Sequence, residues 1–576
     1  MNKIDAVQSI NFKGSRVNIV SLADIHGDIL KVPQVIKSIQ VHSKDLFEKA
    51  GDKSSLNLLA IAGDVFMNPK KRGFITHPDF CAGDIQYNFL TALIFKTKMA
   101  VAKVASTALK NFETIFAIGN HDLEGGDDWL FDKLKRAPMT TLMTNINKAK
   151  SPIVSQAMEE MPEKFVTSKV FEIPDDKVAN KMNKLLVLSA TIPSMDYYCP
   201  NLLKGTTFYD NCNKNDASLE EKDLKKTISI IKQQVEKFKE ENPKGSVIML
   251  SHIGNRISTM IAKKVPEINL ILNGHDHKGY ADYVGKTIIL SHGQNGEFYR
   301  GIHFNINDDG TVSVHSDRYN TQEYDQPARK DKKMQEFVNV NIKEDLKPLH
   351  KFDITKINRD DYVLNDSIRY SHNLMANYIT SGMKEAALKD YPELDAIGIP
   401  TTIFRNGILS NDKRTTINNV DYLKIFDGVN ATIADLKVGT ISGLELYGLV
   451  LENVLNNLKS KTRNALIQWS DIRIDRTKIR QLKDNNFDPE LSKAIQIRNP
   501  ITGEFEEIDP RREYQIILSD KYLLKKPTKN LSVPNEIKGK FKPIGKTYDE
   551  LFKEYLESVN YDVDLTTDLV TEKRIL

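Results

Sequence analysis

Cysteine is scarce and scattered. The three residues Cys81, Cys199 and Cys212 share no spacing, which excludes a disulfide framework and a cysteine-based zinc module. A charge bias is missing too. The 81 basic residues nearly balance 77 acidic ones, for a formal charge of +4, so any nucleic-acid contact would need a local basic patch. Long apolar runs are absent as well. No stretch reaches the roughly 20 residues of a bilayer span, and the start "MNKIDAVQSINFKGSRVNIV" holds no apolar core for a signal peptide. These absences predict a cytoplasmic protein without membrane contact. At 576 residues the chain outgrows a single hydrophobic core, so about two to four domains are expected.

The first half alternates short apolar, β-branched runs with longer helical patterns. Candidate strands are "RVNIVSLAD" (16–24), "LNLLAIAGD" (56–64), "TIFAIGN" (114–120), "KLLVLSAT" (184–191), "GSVIMLSH" (245–252) and "INLILNGH" (268–275). Helical stretches cover 86–111 and 219–241. Continuous apolar strands separated by helices predict an α/β layer architecture with both sheet faces covered. Residues 287–317 read as β-hairpins, and the polar stretch 318–355 as a linker. From 356 a second, α+β domain is expected, with helices at 369–390 and 442–459 and strands near 466–474 and 512–519.

Nearly every early strand ends in Asp, His or Asn. Collected in order, these are Asp24 and His26 ("LADIHGD"), Asp64 ("IAGDV"), Asn120, His121 and Asp122 ("AIGNHDLEGG"), His252 ("LSHIGN"), and His275 and His277 ("NGHDHK"). In open α/β sheets, ligands gather at the carboxyl ends of strands. Carboxylate, amide and imidazole donors together suit Mn, Fe, Zn or Co, and two such ions close together need a bridging carboxylate. An Asp-x-His pair leaving a strand can aim both side chains at one ion, because alternate residues share a face. By the same rule Asp276, between His275 and His277, is expected to face away as a spacer. Gly63, Gly119 and Gly274 permit tight turns off the strands. His292 and His303 also lie near strands and are expected to be structural.

The ordered motifs Asp-x-His, Gly-Asp, Gly-Asn-His-Asp, His and Gly-His-x-His resemble those of the calcineurin-like metallophosphoesterases. The resemblance extends to the 5′-nucleotidase family through "VPEINLILNGHDHKGY…VGKTIILSHGQNGEFYRGIHFNIN" (265–306). It continues more faintly through "SIRYSHNLMANYI" (367–379), "LDAIGIPTTIFRNGILS" (394–410) and "KVGTISGLELYGLVLENVL" (437–455). It implies a four-layer α/β/β/α sandwich over 1–317, a linker over 318–355 and a nucleotidase-like α+β domain over 356–576. It also implies one ion on Asp24, His26 and His277, another on Asn120, His252 and His275, and Asp64 between them. Mn is the first choice, with Zn, Fe, Co and Mg as other candidates. His121 would then be a non-ligand acting on the phosphoryl oxygens or the leaving group, oriented by Asp122 or Glu124.

The sequence also departs from the family. The family's acidic partner, three positions after the His, is typically Asp, and Glu124 stands in that slot. Its substrate-binding Arg falls at Leu409, with Arg405 nearby as a substitute, and Tyr522 with Lys525 and Lys526 replaces a glycine-rich loop. Basic clusters occur at 68–73, 135–138, 471–483 and 538–546. Of these, Lys70, Lys71 and Arg72 follow Asp64 closely and form a candidate nucleic-acid patch. Three functions compete: a 5′-nucleotidase, an Mn-dependent DNase of the kind phages use on host DNA in the host cytoplasm, and a binding or scaffold protein with a vestigial site. No ligand position has decayed, which counts against the third. A nucleotide or nucleic acid is the expected substrate, with homo-oligomerisation left open.

Overall fold

A computed structural model describes residues 14–27, 31–47, 56–66, 82–104, 111–175, 178, 180–195, 203–212, 219–293, 296–324, 330–341, 343, 347–351, 373–400, 416–418, 436–459, 466–482, 493–519, 535–559 and 573–576. The chain divides into two compact units, Met1–Ile342 and Lys343–Leu576.

The first unit is built on two sheets. The strands of its first half are β1 (Gly14–Leu22), β2 (Leu56–Ala62), β3 (Phe112–Ala117), β4 (Thr140–Leu142), β5 (Phe165–Val166), β6 (Lys169–Pro174) and β7 (Met182–Thr191). Then follow β8 (Ser246–His252), β9 (Leu270–Asn273), β10 (Ala281–Val284), β11 (Thr287–Ser291), β12 (Phe298–Asn307) and β13 (Val312–Asn320). One sheet runs β13-β12-β1-β2-β3-β4-β5 and the other β10-β11-β9-β8-β7-β6. Strands β1 to β5 are mutually parallel, as are β7, β8, β9 and β11, so each sheet has one edge of strand carboxyl ends.

Apolar side chains from both sheets fill the space between them, among them Val17, Leu58, Ile115, Val187, Leu250 and Leu272. The outer faces are covered by helices, which is why β2 and β8 are buried along their whole length and read as unbroken apolar runs. Helix Lys225–Glu241 packs on β7 through Thr227, Ile228, Ile231, Val235 and Phe238, spaced to form one helical stripe. Helix Asn255–Lys264 packs on β9 and β11. The four-layer expectation describes this unit.

Two expectations change here. The hairpin reading of 287–317 holds for β12 with β13, and β11 closes a hairpin with the preceding β10, but β11 also pairs parallel to β9 in the other sheet, so the chain changes sheets between β11 and β12. The stretch 318–341, expected within a linker, is part of the first unit. Strand β13 extends to Asn320, and helix Lys332–Asn341 is fastened to the unit. Asp331 accepts from Gln40 (3.1 Å) and Lys96 (3.4 Å), and Phe337 meets Phe89 edge-on. Polar composition concealed these contacts because they run through few residues, Asp331 just ahead of the helix and Phe337 on it.

The second unit centres on a five-stranded sheet in the order Ile467–Trp469, Leu394–Pro400, Glu513–Ser519, Leu436–Ser442, Phe541–Pro543. Successive residues of Glu513–Ser519 serve opposite faces. Ile517 joins the core formed with helices Leu374–Ala387 and Tyr548–Ser558, while Ile516 and Leu518 join the one formed with helix Gly443–Lys459. Asn373 caps the first of these helices by accepting from the Ala376 amide at 3.0 Å. Among the described residues, no helix is long and apolar enough to cross a membrane.

Candidate metal centre

The candidate ligands stand at the carboxyl ends of β1, β2, β3, β8 and β9, His252 as the last paired residue of β8 and the others just beyond their strands. The loops after β1 and β2 remain tied together: the Asp24, His26 and Gly27 amides donate to Gly63 O (3.1 Å), Asp64 O (2.8 Å) and Val65 O (2.9 Å). Five candidates have left-handed backbones, with φ of 55° at Asp24, 51° at His26, 53° at Asp64, 81° at His275 and 57° at His277. Such conformations are uncommon away from glycine and gather at functional sites. The alternation rule therefore gave the wrong reason for convergence: turns aim these side chains, and strand pleat does not.

Two triads result. Asp24, His26 and His277 can each direct one donor atom into a region where all lie within 4.8 Å of one another, and so can Asp64, His252 and His275. Asn120 joins the second, its Oδ1 lying 2.9 Å from His275 Nδ1. Asp64 faces both: its Oδ2 lies 2.8 Å from His252 Nε2 and 3.3 Å from His26 Nε2. Its Oδ1 accepts from the His121 amide at 2.8 Å. Asp24 accepts from the His275 amide at 3.0 Å and lies 3.6 Å from His277 Nε2. Asp24, Asp64 and His252 are fully buried, whereas the His277 side chain is 20% exposed and that of His121 12%. The centre therefore opens on the side of His277 and His121.

The donors call for cations. His252 Nδ1 donates to the Ala62 carbonyl at 2.6 Å, because a carbonyl can only accept. In the neutral ring Nε2 then turns a lone pair toward the Asp64 carboxylate, another lone-pair donor. His252 Nε2, His26 Nε2 and Asp64 Oδ2 are all buried without a well-formed hydrogen bond, despite their closeness. Lone pairs meeting in a dry site need an electrophile between them. Without an ion, a proton takes that role. Burial alone would lower the His252 pKa, but the charges of Asp64 and Asp24 outweigh it and push it up to about 10. Burial also opposes ionisation of Asp64, yet the His252 and His121 charges hold its carboxyl well below the usual range. Burial pushes Asp24 up to about 6, against the pull of His252 and His26. A mixed carboxylate, amide and imidazole set that would otherwise keep a proton at high pH fits divalent metal ions.

The alternatives for orienting His121 separate geometrically. Glu124 Oε1 lies 2.5 Å from His121 Nδ1. Asp122 is spent on the backbone, accepting from the amides of Asp64 (2.9 Å), Val65 (2.9 Å), Phe66 (2.7 Å) and Gly119 (2.7 Å). It holds the Asp64 loop against the Asn120 loop. His121 also lies near His26 and Asp64, with the three offering donor atoms within 4.8 Å of one another.

Gly119 shows why two loops this close need a glycine: a Cβ there would sit 2.1 Å from Asp64 Oδ1. His292 donates to Asn273 O at 2.9 Å, and burial with nearby Arg300 pushes it down to about 3, which suits a structural role. His303 lies 3.0 Å from Asn18 Oδ1. The Ala62 carbonyl, which sets the His252 tautomer, carried no sequence signal at all.

Lys70, Lys71, Arg72, Arg405, Leu409 and Tyr522 lie outside the described residues. The clusters at 135–138 and 538–546 meet carboxylates, Lys135 with Glu160, Arg136 with Asp132, Lys540 with Glu445 and Lys546 with Asp390, whereas in 471–483 Arg473 lies over the Phe505 ring and Arg476 donates to Asn457 Oδ1.

No protein-family model matches the sequence, and no curated protein does. Solved structures do match. A 5′-nucleotidase precursor from Thermus thermophilus aligns over 95% of this chain and 97% of its own, with a TM-score of 0.63 at 14% identity. A sulfate thiohydrolase from the same genus covers 94% of each chain (TM-score 0.57, 15% identity). A 5′-nucleotidase from Staphylococcus aureus, itself assigned by inference, covers 96% of this chain and 98% of its own (TM-score 0.55, 14% identity). At such identities the likeness establishes the fold, a two-domain metallophosphoesterase architecture of the 5′-nucleotidase type.

Proposed function

With that fold as premise, we propose that the protein is a two-metal phosphoesterase acting on nucleotide or nucleic-acid phosphate esters, most specifically in the manner of a 5′-nucleotidase. The observation that carries this reading is the Asp64 carboxylate, buried between two donor sets whose lone pairs converge on it. One ion would rest on Asp24, His26 and His277, and the second on Asn120, His252 and His275, with Asp64 shared. Mn fits this mixture first, ahead of Zn, Fe, Co or Mg. When bound, such ions supply Lewis acidity toward phosphoryl oxygens and activate water at neutral pH. The chain supplies the rest. The Ala62 carbonyl fixes the His252 tautomer, and Asp122 keeps the Asp64 and Asn120 loops in register. The Glu124 carboxylate orients the His121 ring at the open side, where the ring would act on the phosphoryl or leaving oxygen. The expected setting is the cytoplasm.

A nuclease is the second reading, favoured by Leu409 in place of the family's substrate Arg and by Lys70, Lys71 and Arg72 so soon after Asp64. One experiment addresses both. Chelator-treated protein is given Mn and either nucleoside monophosphates or duplex DNA, and phosphate release and DNA fragmentation are measured. Phosphate release with intact DNA supports the nucleotidase form, and fragmentation supports the nuclease. Full activity after exhaustive metal removal refutes both.

A further inference from the structure

Asp276 lies between two candidate ligands and is more than a spacer. Its Oδ2 accepts from the Asn255 amide, at the first turn of helix Asn255–Lys264, and from the Tyr280 hydroxyl at 2.9 Å. The helix begins three residues after His252, so one carboxylate joins the loop carrying His275 and His277 to the loop carrying His252. Gly254, with φ 79°, makes room, since a Cβ there would lie 2.8 Å from Asp276 Oδ1.

The anchor is itself held. The Tyr280 hydroxyl donates to Asp276 and accepts from Asn273 Nδ2 at 2.9 Å. Asn273 Oδ1 accepts from Ser258 Oγ at 2.8 Å, and Ser258 lies 2.8 Å from Ser251 Oγ, beside His252. Arg300, buried on β12, donates to the Tyr280 carbonyl at 2.8 Å and to Ser291 O at 3.0 Å. The network thus runs from β8 through the helix to β9 and β12 with each of these polar contacts made inside it.

We propose that Asp276 is a positioning residue that locks the His252 loop and the His275–His277 loop into one rigid body, holding three imidazoles in place before any ion arrives. This rests on the two-metal reading above. The left-handed backbones at His275 and His277 sharpen the need, because a loop in a sparsely populated conformation persists only when its surroundings over-determine it. Groups that orient metal ligands from behind typically change metal affinity or activity by about 10–100-fold when removed.

The test titrates MnCl2 into chelator-treated wild-type protein and Asp276→Ala, Asp276→Asn and Tyr280→Phe, alongside circular dichroism and the rate of bis(p-nitrophenyl) phosphate hydrolysis against Mn concentration. Asp276→Ala should fold and bind Mn about 10–100-fold more weakly, with much of the rate recovered at saturating Mn. Asp276→Asn, whose amide oxygen can still accept both bonds, should remain near wild type, and Tyr280→Phe should lose affinity in the same direction but less. A merely structural role would lower the melting temperature of Asp276→Ala and leave its Mn affinity unchanged; that result overturns the proposal, as does an Asn variant no better than Ala. If Asp276→Ala does not fold, wild-type affinity in Tyr280→Phe overturns it. Wild-type protein that binds no Mn would overturn the two-metal reading and this one together, whereas a wild type that binds beside an unaffected Asp276→Ala overturns this one alone.

Discussion

Gly119→Ala adds one methyl group, no charge and no donor, yet it should cripple the proposed centre. The new Cβ would lie 2.1 Å from Asp64 Oδ1, 2.4 Å from Asp64 N and 2.8 Å from Asp64 Cγ. An ordinary contact begins near 3.4 Å, so the carboxylate must retreat by more than an ångström or the loop must open. Neither movement is local. Asp64 N is held by Asp122, Asp64 Oδ1 accepts from the His121 amide, and Gly119 N is bound to Asp122 as well. Overpacking a well-filled site typically costs about 1–3 kcal/mol, which a protein of ordinary stability survives. A catalytic group displaced by about 1 Å, in contrast, can lose on the order of 100-fold in rate. The variant should therefore fold, melt only slightly lower and hydrolyse bis(p-nitrophenyl) phosphate with Mn at roughly a hundredth of the wild-type rate or less. A folded Gly119→Ala protein with wild-type turnover would refute the placement of Asp64 at the working centre.

Further perturbations separate the roles of neighbouring groups. Glu124→Gln should lower kcat by about 10²-fold or more, within the range for a positioned acid–base partner, and leave Mn affinity intact by calorimetry; an unchanged kcat would dissociate Glu124 from the chemistry. Asp122→Asn should instead destabilise the fold, by at least about 2 kcal/mol in a denaturant melt, because an amide nitrogen would face backbone N–H groups that now meet a carboxylate. Asp64→Ala should abolish Mn-dependent turnover in a folded protein, and an active variant would mean that the shared ligand lies elsewhere. Proton linkage offers a fourth check. In the metal-free protein the His252 pKa of about 10 exceeds its unfolded value, so its stabilisation is full below about pH 6.5 and fades as pH rises through 10. At pH 8 Asp24, near 6, is already ionised, so Mn should displace about one proton, from His252. Calorimetry in buffers of different ionisation enthalpy reads that proton as a slope; a slope of zero contradicts the assignment.

The convergence of the candidate ligands was legible in the sequence because each motif is short and self-contained, ends an apolar run and keeps its order along the chain. Strings such as "LNLLAIAGD" and "GSVIMLSH" expose both the covered strand and the candidate ligand at its end. The geometry was much less legible. Strand alternation predicted that Asp24 with His26 would share a direction, and they do converge, but through left-handed turns that period-2 reasoning does not describe. Asp122 and Glu124 flank the same histidine with the same charge, and only the count of backbone amides around each carboxylate separates clamp from orienter. Asp276 looked idle because its partners, Asn255 and Tyr280, belong to a helix start and a later turn. The polar stretch 318–341 looked like a linker because its attachment rests on Asp331 and Phe337, too few residues to set a period.

Strain and charge at the centre tie ion binding to folding. Each left-handed non-glycine residue costs about 1–2 kcal/mol relative to ordinary backbone, and five candidate ligands carry that cost. Backbone bonds between the β1 and β2 loops and the Asp122 clamp offset part of it. They leave Asp24 and Asp64 buried together, with only the proton on His252 set against their charge in the ion-free protein. Divalent ions would replace that proton with a larger charge, so ion binding and folding would draw on the same free energy. If an ion binds only the folded chain, a concentration about 100 times its dissociation constant adds about 2.7 kcal/mol of stability. For a unit of this size that corresponds to a rise of several degrees in melting temperature. Differential scanning calorimetry of chelator-treated protein, with and without Mn, should show the first unit's transition move upward while turnover appears over the same concentration range. Turnover that responds to Mn beside a transition that does not move would mean that the buried carboxylates are satisfied by something other than the catalytic ions.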